Sequence, residues 1–382
     1  MEFIYNKYVT GKHFIGRKNE VSILANLLSQ GENIALYEPP KTGKMSLVQQ
    51  ALFNMRITSK RFSTAVVSLM NTRTVADLCM RLGSSVMRAC GNTPEEFTDL
   101  TARYLGGTHF VFDPALFYAK DQILSLNWDI DDADIRAILT LPYRAARDRS
   151  IPMYVFVNEF QNVMLTEDGE RVCRILEQVF RERSVEDRAA ACYILCGSQV
   201  NAMKEIFEHK RFFYREVERV KLQAIDAKDI IDHVIKGFLT SGKVIDRDLM
   251  VGVCRLFKGN IWYINHFAAI CDTMTRGYIM EPVLVDALET LLSIHEPRFL
   301  SMMNDLTTFQ VCFLRAVVDG HTRFSSADVI QHYKLNSSAN VRRLKDALYK
   351  KEILTFNESD APEFLDALFE YWIRKKYFEI KG

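Results

Sequence analysis

Residues 38–46 of the chain, Glu-Pro-Pro-Lys-Thr-Gly-Lys-Met-Ser, have the spacing of a phosphate-binding loop. The intact motif is G-x-x-x-x-G-K-[ST], placed between a strand and a helix. Gly43 and Lys44 stand where the motif requires them, whereas Glu38 replaces its first glycine and Met45 replaces its Mg²⁺-binding hydroxyl residue. Backbone N–H groups and Lys44 would still bind phosphate, but a thioether is a poor ligand for a hard cation. The loop therefore predicts phosphate binding with weak metal binding.

A second set of polar residues follows the apolar run 151–157, which is typical of a buried parallel strand. In nucleoside triphosphatases with this loop, such a strand ends in Asp-Glu: the Asp holds the Mg²⁺ shell and the Glu polarises the attacking water. Here the pair is Asn158-Glu159. Asn158 is neutral and would hold the ion weakly, whereas Glu159 remains a candidate catalytic base. The alternative is that Glu159 is an exposed carboxylate without a catalytic role.

The departures at Met45 and Asn158 are distant in sequence and both affect metal coordination. A carboxylate at position 38 would repel a triphosphate by about 1 kcal/mol or more, unless Lys41 or another cation offsets it. The histidines never pair as HxxxH or HxH, and no G-x-S-x-G elbow occurs, so we predict neither a metal site nor a serine hydrolase. The predicted nucleotide-binding residues are Glu38, Pro39, Pro40, Lys41, Thr42, Gly43, Lys44, Met45, Ser46 and Asn158.

Several segments together resemble the prokaryotic ATPases related to the STAND NTPases and the archaeal Orc1/Cdc6-like proteins. The resemblance spans nearly the whole chain, and the order of the motifs is more specific than any one of them. The matching segments are residues 14–20 (F-x-G-R-x-x-E), 37–47 (Y-G-P-R-R-x-G-K-T-S-L), 158–161 (D-E-F-Q), 196–199 (s-G-S-s), 210–215 (p-l-y-G-R), 258–265 (G-G-N-P-x-Y-l-n) and 364–374 (Y-x-v-x-D-P-l-f-r-x-W-l-R).

The resemblance implies a P-loop NTPase fold of the AAA+/STAND type, with a parallel sheet core, a helical lid and a C-terminal winged helix. It implies that Arg215 is a phosphate-sensing arginine, which joins Glu159 as a candidate catalytic residue. A solvated helix face is the alternative for the basic run 210–215. Ile261 and Ala367 stand where the family has proline. Arg17 is expected to form a structural ion pair rather than to contact adenine.

The elements that must position these residues alternate between strand and helix patterns from residue 14 to about residue 222, which favours a parallel sheet flanked by helices. The segment 91–128 departs from the pattern, and we interpret it as an insertion over the nucleotide cleft. The predicted strands are 34–37, 64–69, 153–157 and 191–196, and the predicted helices are 18–29, 46–55, 75–87, 130–148 and 170–183.

Beyond Asp226, which is expected to cap a helix, only helical patterns follow, around 246–257, 262–274 and 282–293. We predict three domains: an ATPase core at 1–222, a helical lid at 223–297 and a winged helix at 298–382. A linker is expected near 295–297. In the last domain, helices at 308–318 and 328–333 and a third beginning at 337–338 precede a wing that starts at 353–356.

The third helix of the predicted winged helix carries Arg342, Arg343 and Lys345. A DNA-recognition helix needs such local charge to meet phosphates and base edges. Winged helices also dock proteins, and a basic solvated face is common. DNA contact and protein docking are therefore both open from the sequence.

The composition indicates a globular protein of more than one domain: 382 residues, 48% hydrophobic and 25% charged, with a net charge of +1. Most of the eight cysteines lie beside apolar residues, as in reduced cytosolic proteins. We expect a cytoplasmic location, with no membrane span and no signal peptide.

We predict an ATP- or ADP-binding regulatory or scaffold protein with weak or absent hydrolysis. One alternative is an active ATPase that holds Mg²⁺ through Ser46, Asn158 and Glu159. A second is a DNA-binding protein with an inert ATPase core. The protein partner and the oligomeric state stay open.

Overall fold

The computed structural model describes residues 3–58, 60–119 and 122–380. The chain forms two units. The first, here called the sheet unit, comprises Lys18–Glu38 and Leu47–Leu222. The second, the lid–wing unit, comprises Met1–Arg17, Pro39–Ser46 and Gln223–Gly382. The phosphate loop thus belongs to the same unit as the lid helices and the C-terminal domain. The predicted division into three domains stays a prediction.

The sheet unit contains a five-stranded sheet in the order β2-β5-β6-β1-β7, and every neighbouring pair in it is parallel. The predicted parallel core is confirmed, with strand limits within one residue of those expected. Strands β1, β5 and β6 are buried almost throughout, which explains their continuous apolar sequences. The strands are β1 (Ile34–Tyr37), β2 (Ser63–Ser68), β3 (Phe110–Phe112), β4 (Leu124–Leu126), β5 (Met153–Asn158), β6 (Ala191–Gly197), β7 (Glu218–Arg219), β8 (Val244–Ile245), β9 (Tyr278–Ile279), β10 (Leu354–Phe356) and β11 (Pro362–Phe364).

Helices of both units follow the apolar periodicity of the sequence. The α-helices are α1 (Lys18–Ser29), α2 (Lys44–Ile57), α3 (Val75–Arg88), α4 (Pro94–Leu105), α5 (Asp132–Arg149), α6 (Gly169–Arg181), α7 (Val185–Ala190), α8 (Val200–Lys204), α9 (Ala227–Thr240), α10 (Arg247–Leu256), α11 (Ile261–Met274), α12 (Glu281–Asn304), α13 (Thr308–Val318), α14 (Ala327–His332), α15 (Ser338–Lys350) and α16 (Ala367–Trp372).

The segment interpreted as an insertion is ordered into its own small layer. Helix α4 begins with a capping box at Thr93 and Glu96, and β3 and β4 then pair antiparallel. Arg88 of α3 donates to the carbonyl groups of Phe117 and Ala119, which fixes the end of the layer to the core. Residues 120 and 121 of this segment lie outside the described residues.

The predicted linker at residues 295–297 is wrong, because helix α12 runs without a break from Glu281 to Asn304 with Pro297 inside it. A proline removes one intrahelical hydrogen bond and is normally a helix breaker. Here the helix is held from both sides: Leu291 and Leu292 are buried before the proline, and Phe299 packs on Trp372 at a ring distance of 5.4 Å after it. Tertiary packing therefore outweighs the local preference.

The C-terminal domain has the predicted winged-helix elements. Ser337 caps α15 by accepting a hydrogen bond from the N–H of Asn340. Strands β10 and β11 pair antiparallel to form the wing. One continuous hydrophobic core joins this domain to lid helices α9 to α12. Among the residues described, no helix combines the length and the apolar character that crossing a bilayer requires.

Candidate functional site

The phosphate loop has the backbone of an anion-binding turn. Gly43 has a φ of 93°, a backbone conformation that disfavours any residue with a side chain. A Cβ there would also lie only 3.1 Å from the side chain of Arg17. Helix α2 begins at Lys44, directly after this glycine. The first N–H groups of a helix lack intrahelical acceptors, and the helix dipole adds a partial positive charge there. The loop can therefore hold phosphate oxygens with its backbone alone.

The motif lysine lies inside the loop. Lys44 is only 8% exposed, and its Nζ donates to the carbonyl of Pro39 at 2.9 Å. The hydroxyl of Thr42 donates to the same carbonyl at 2.8 Å. A buried ammonium that contacts its own loop is already oriented for a phosphate oxygen. The assignment of Lys44 to phosphate stays a prediction.

Arg17 ties the loop to the start of the lid. Its guanidinium donates to the carbonyl of Thr42 at 2.6 Å and to the carbonyl of Gln223 at 3.2 Å. The contacts found are thus to backbone carbonyl groups, and the ion pair expected from the sequence stays a prediction. Arg17 thus holds the loop beside residue 223, where the predicted helical lid begins.

The N-terminal segment 3–9 connects the lid with the helix that follows the loop. Phe3 packs on Gly237 of α9, where a Cβ would lie 2.6 Å from the phenyl ring. The N–H of Val9 donates to the hydroxyl of Ser46 at 3.1 Å. The hydroxyl that the alternative ATPase interpretation assigns to Mg²⁺ is therefore already a hydrogen-bond acceptor.

Lys41, one residue before Thr42, contacts aromatic rings of the lid. Its Nζ lies 3.9 Å from the ring centroid of Trp262 and 5.0 Å from that of Tyr263. Burial, followed by the nearby Arg298, lowers the pKa of Lys41 to about 8, while Asp366 opposes that shift. A cation over an indole face is stabilised by the ring quadrupole.

The two aromatic residues are placed by the cap of α11. The side-chain oxygen of Asn260 accepts from the N–H groups of Trp262 and Tyr263 at 3.0 and 3.2 Å. Ile261 stands at the first helical position, where proline is also favoured. Ile261, which stands where the resembling motif has proline, is thus compatible with the helix start, and the cap fixes the first turn that carries the two rings.

In the sheet unit, the end of β5 carries the other predicted residues. Asn158 is the last residue of the strand and lies opposite Ser68 of β2. Glu159 follows in a left-handed conformation, with a φ of 56°. Its carboxylate accepts hydrogen bonds from the side chains of Gln161 and Ser198, both at 2.6 Å. The candidate base is therefore held by two neutral donors within its own unit.

Glu38 has a structural partner in the sheet unit. Its Oε1 accepts from the N–H of Leu222 at 3.4 Å. The preceding residue, Tyr37, is buried and donates to Glu208 at 2.8 Å, and Arg219 lies over its ring at 4.1 Å. Polar contacts thus surround the end of β1, and the carboxylate that replaces the motif's first glycine has a role in holding the chain at residue 222.

The basic run 210–215 is a series of turns, so its interpretation as a helix face is wrong. Arg211, Phe213 and Arg215 all have positive φ values, between 53° and 64°. Phe213 anchors the run in the core at 2% exposure. Arg215 is exposed and its guanidinium lies 5.2 Å from the ring of Tyr214. Its assignment as a phosphate sensor stays a prediction.

On the winged helix, the three predicted DNA-contacting residues are not equivalent. Arg342 and Arg343 are exposed on α15. Lys345 is largely covered: its ammonium binds Asp360 and lies 5.2 Å from the ring of Phe356 in the wing. Lys345 therefore stabilises the wing against the helix. DNA contact by this set stays a prediction.

Sequence reasoning did not single out some residues of the two units that the structure brings into polar or ring contacts. Nothing in the spacing of Trp262 and Tyr263 separates them from core residues, because an aromatic pair at a helix start is most often buried. Ser198 follows β6 directly, and the match of residues 196–199 to the s-G-S-s motif was the available signal. A cluster of His109, Asp131 and Asp134 brings possible metal ligands within 4.8 Å of one another. Asp131 and Asp134 form the capping box of α5, and the Asp134 carboxylate also contacts Nδ1 of His109 at 2.8 Å.

Comparison with solved structures identifies the fold. A Walker-type ATPase of Pyrococcus abyssi is 15% identical, with 98% of this chain and 100% of that chain covered and a TM-score of 0.68. The Orc2 protein of Aeropyrum pernix in its ADP form is 14% identical, covers 94% and 91%, and has a TM-score of 0.57. The same protein in ADPNP–ADP complexes is 12% identical, covers 96% and 98%, and has a TM-score of 0.53.

Sequence comparison adds one match. Residues 297–375 match the model of a probable winged helix domain. No curated protein matches the chain at a significant level. The fold is that of the archaeal Orc- and Walker-type ATPases, with a C-terminal winged helix, as the sequence resemblance implied.

Proposed function

We propose that this protein is a regulatory or scaffold ATPase-like protein that binds ATP or ADP and hydrolyses it weakly or not at all. One observation carries the proposal: the loop keeps a buried Lys44 at the start of α2, while Met45 and Asn158 occupy the positions of the metal-binding residues. The phosphate-binding half of an ATPase site is retained and the metal-binding half is altered.

The residues of the loop fit a nucleotide. The N–H groups at the start of α2 and the ammonium of Lys44 would hold phosphate oxygens. The fold supports this, because the Orc2 protein of A. pernix has been solved with ADP.

The residues present fit Mg²⁺ less well. A hard cation prefers anionic oxygen ligands, and the positions offer a thioether at Met45 and a neutral amide at Asn158. The Ser46 hydroxyl already accepts from Val9. Because catalysis of phosphoryl transfer relies mainly on positioning and charge stabilisation, loss of the metal ligands should reduce turnover most.

The experiment is a calorimetric titration of ADP into the protein with Mg²⁺ and with EDTA. We expect binding whose Kd changes less than about threefold on chelation, since the backbone and Lys44 carry the contact. Mass spectrometry of nucleotide released from the denatured, freshly purified protein would show which base it carries.

A large loss of affinity in EDTA, together with clear ATP turnover that disappears in Glu159→Gln, would establish the alternative of an active ATPase. Absence of any binding of ADP or ATP would overturn nucleotide binding itself. The rest of the fold would then be scaffold.

A second candidate function, DNA binding, is favoured by the exposed Arg342 and Arg343 on the helix of a matched winged-helix domain. Each phosphate contact contributes about 0.9 to the slope of log K against log salt. The double variant Arg342→Gln/Arg343→Gln should therefore shrink the slope by about 1.8. Lys345→Gln serves as the matched control, because its charge is paired with Asp360. No gel shift on mixed duplexes at low salt would leave protein docking as the role.

A further inference from the structure

Lys41 lies against a group of aromatic side chains, here called the cage, which consists of Trp262, Tyr263, His266, His295 and Tyr5. Trp262 lies 5.3 Å from His266 and 5.7 Å from His295 in edge contacts, and both imidazoles border the rings that face the lysine. Tyr5 of the N-terminal segment stacks on His266 at 4.1 Å. The cage therefore has walls from the lid and from the N-terminal segment, and the phosphate loop supplies the cation.

Three features of Lys41 and of its surroundings are energetically unfavourable. Its backbone is left-handed, with a φ of 66° on a residue that is not glycine. Its ammonium is half-buried, and burial lowers its pKa to about 8. Two buried imidazole nitrogens, Nδ1 of His266 and Nε2 of His295, have no hydrogen-bond partner among the described residues. Such strain persists only where the surroundings enforce it, and it clusters at clamps and switches.

The cage is connected to the winged helix through one hydroxyl group. Tyr263 donates to the carboxylate of Asp366 at 2.9 Å, and Arg298 binds both groups. The same carboxylate caps α16 by accepting from the N–H groups of Leu368 and Phe369 at 3.0 and 3.1 Å. Lys41 and the cap of α16 thus contact the same tyrosine.

We propose that Lys41 is a latch that couples the phosphate loop to the winged helix. Phosphate oxygens in the loop and the indole of Trp262 compete for the same ammonium, which lies two residues before Gly43. Binding of a nucleoside di- or triphosphate draws Lys41 out of the cage, removes the cation from Tyr263 and alters the Asp366 cap of α16. This inference rests on the proposed function for its ligand and on the contacts of Lys41 for its mechanism.

Competition between phosphate and Trp262 for Lys41 predicts that a substitution in the cage raises nucleotide affinity instead of lowering it. If the cage holds Lys41 away from the phosphates, weakening the cage must tighten nucleotide binding, because the ligand no longer has to break the latch. A purely structural role of Trp262 predicts weaker binding instead. Cation–π attraction is strongest for tryptophan, so Trp262→Phe and Trp262→Leu should form a graded series.

The first arm titrates ADP by calorimetry into the full-length protein. We expect ADP affinity to rise by roughly three- to tenfold in Trp262→Leu and by less in Trp262→Phe. Tyr278→Leu is the control, since Tyr278 is an aromatic residue of the same unit that is 73% exposed. Unchanged or lower affinity in both Trp262 variants, with native circular dichroism and thermal unfolding, would overturn the latch.

The second arm needs no ligand and separates the latch from nucleotide binding. Lys41→Met should change amide hydrogen exchange of residues 366–372 by about threefold or more, as expected for loss of a cation–π contact. Lys12→Met, at an exposed lysine of the same unit, should leave it unchanged. If the wild type binds no ADP but Lys41→Met shifts this exchange, the proposed function fails and the latch stands. If ADP binds and the exchange does not respond to Lys41→Met, the latch fails alone.

Discussion

The phosphate loop and the end of strand β5 depart from a hydrolase in the same way but are held differently. In the loop, the charged group that remains is Lys44, buried and bonded to a loop carbonyl. At β5, the charged group that remains is Glu159, bonded to the neutral side chains of Gln161 and Ser198. Under the proposed function, each region keeps a charged group that needs no metal and has lost the residue type that would ligate one.

The difference lies in what each retained group can still do. An ammonium at the N-terminal end of a helix attracts an anion through its own charge and through the helix dipole. The Glu159 carboxylate is an anion that accepts hydrogen bonds from Gln161 and Ser198, so it cannot attract a phosphate in the way that an ammonium does. The loop should therefore still function in binding, while the strand end should contribute little on its own.

The largest expected effect comes from deleting Lys44. Lys44→Ala should weaken ADP binding by about 100-fold, because a charge-assisted hydrogen bond to phosphate is worth up to about 3 kcal/mol. Glu159→Gln should change the affinity less than about threefold. Both are measured by calorimetric titration, with Lys12→Ala as the control for general loss of positive charge. Equal losses in Lys44→Ala and Glu159→Gln would remove the distinction between the two regions.

Restoring metal-ligating residues at positions 45 and 158 should restore metal-dependent turnover. We expect the double variant Met45→Thr/Asn158→Asp to raise Mg²⁺-dependent ATP turnover by roughly tenfold over the wild type, because metal charge stabilisation is worth several kcal/mol. Each single change should do less. Steady-state phosphate release checks this, with EDTA as the blank. A double variant that stays inert would mean that Glu38 or the hydrogen bonds of Glu159 block the site as well.

A smaller effect concerns the surroundings of the loop. Burial, followed by the nearby Lys41, Arg298 and His266, lowers the pKa of His295 to about 4 from an ordinary 6.5. Between these values the unfolded chain binds a proton that the folded protein does not, so stability is lost as the pH falls from 6.5 towards 4. Between pH 7 and pH 5, His295→Gln should lose about 1 kcal/mol less unfolding free energy than the wild type, allowing for solvent screening.

Urea denaturation at the two pH values measures this difference. His332→Gln, at an exposed histidine of α14, is the control. Only the change between the two pH values is compared, because His295→Gln also removes ring contacts at both. Parallel losses in wild type and variant would show that His295 is not a source of acid sensitivity.

The elements of this protein were predictable where one apolar pattern dominated. Helices α1 and α13 match the expected limits because their apolar residues repeat with the helical period, and strand β1 matches because a short continuous apolar run is typical of a buried strand. Pro297 misled the interpretation because a local rule cannot register the burial of Phe299 and the residues around it. The turns at 211–215 were equally hidden, because positive φ at arginine and phenylalanine has no sequence signature.

The candidate site was predictable in its motifs and hidden in its contacts. The spacing of the motif alone was enough to assign Gly43 and Lys44 to the phosphate loop. The contact between Lys41 and Trp262 joins residues 221 positions apart, as 262 − 41 gives, and only the fold can bring them together. Sequence patterns identify which groups are available, and long-range packing decides which of them meet.

Helix α12 runs without a break from the predicted lid into the winged helix, so it connects these two parts as one rigid rod. Its 24 residues span about 36 Å at 1.5 Å per residue. Its first half packs in the lid through Leu291, and its second half packs on the C-terminal domain through Phe299. A tilt of about 10° at the lid end would displace the other end by about 6 Å, given that length. If α12 tilted as a rigid rod, a small rearrangement beside the phosphate loop would displace its far end by a distance comparable to one helical turn.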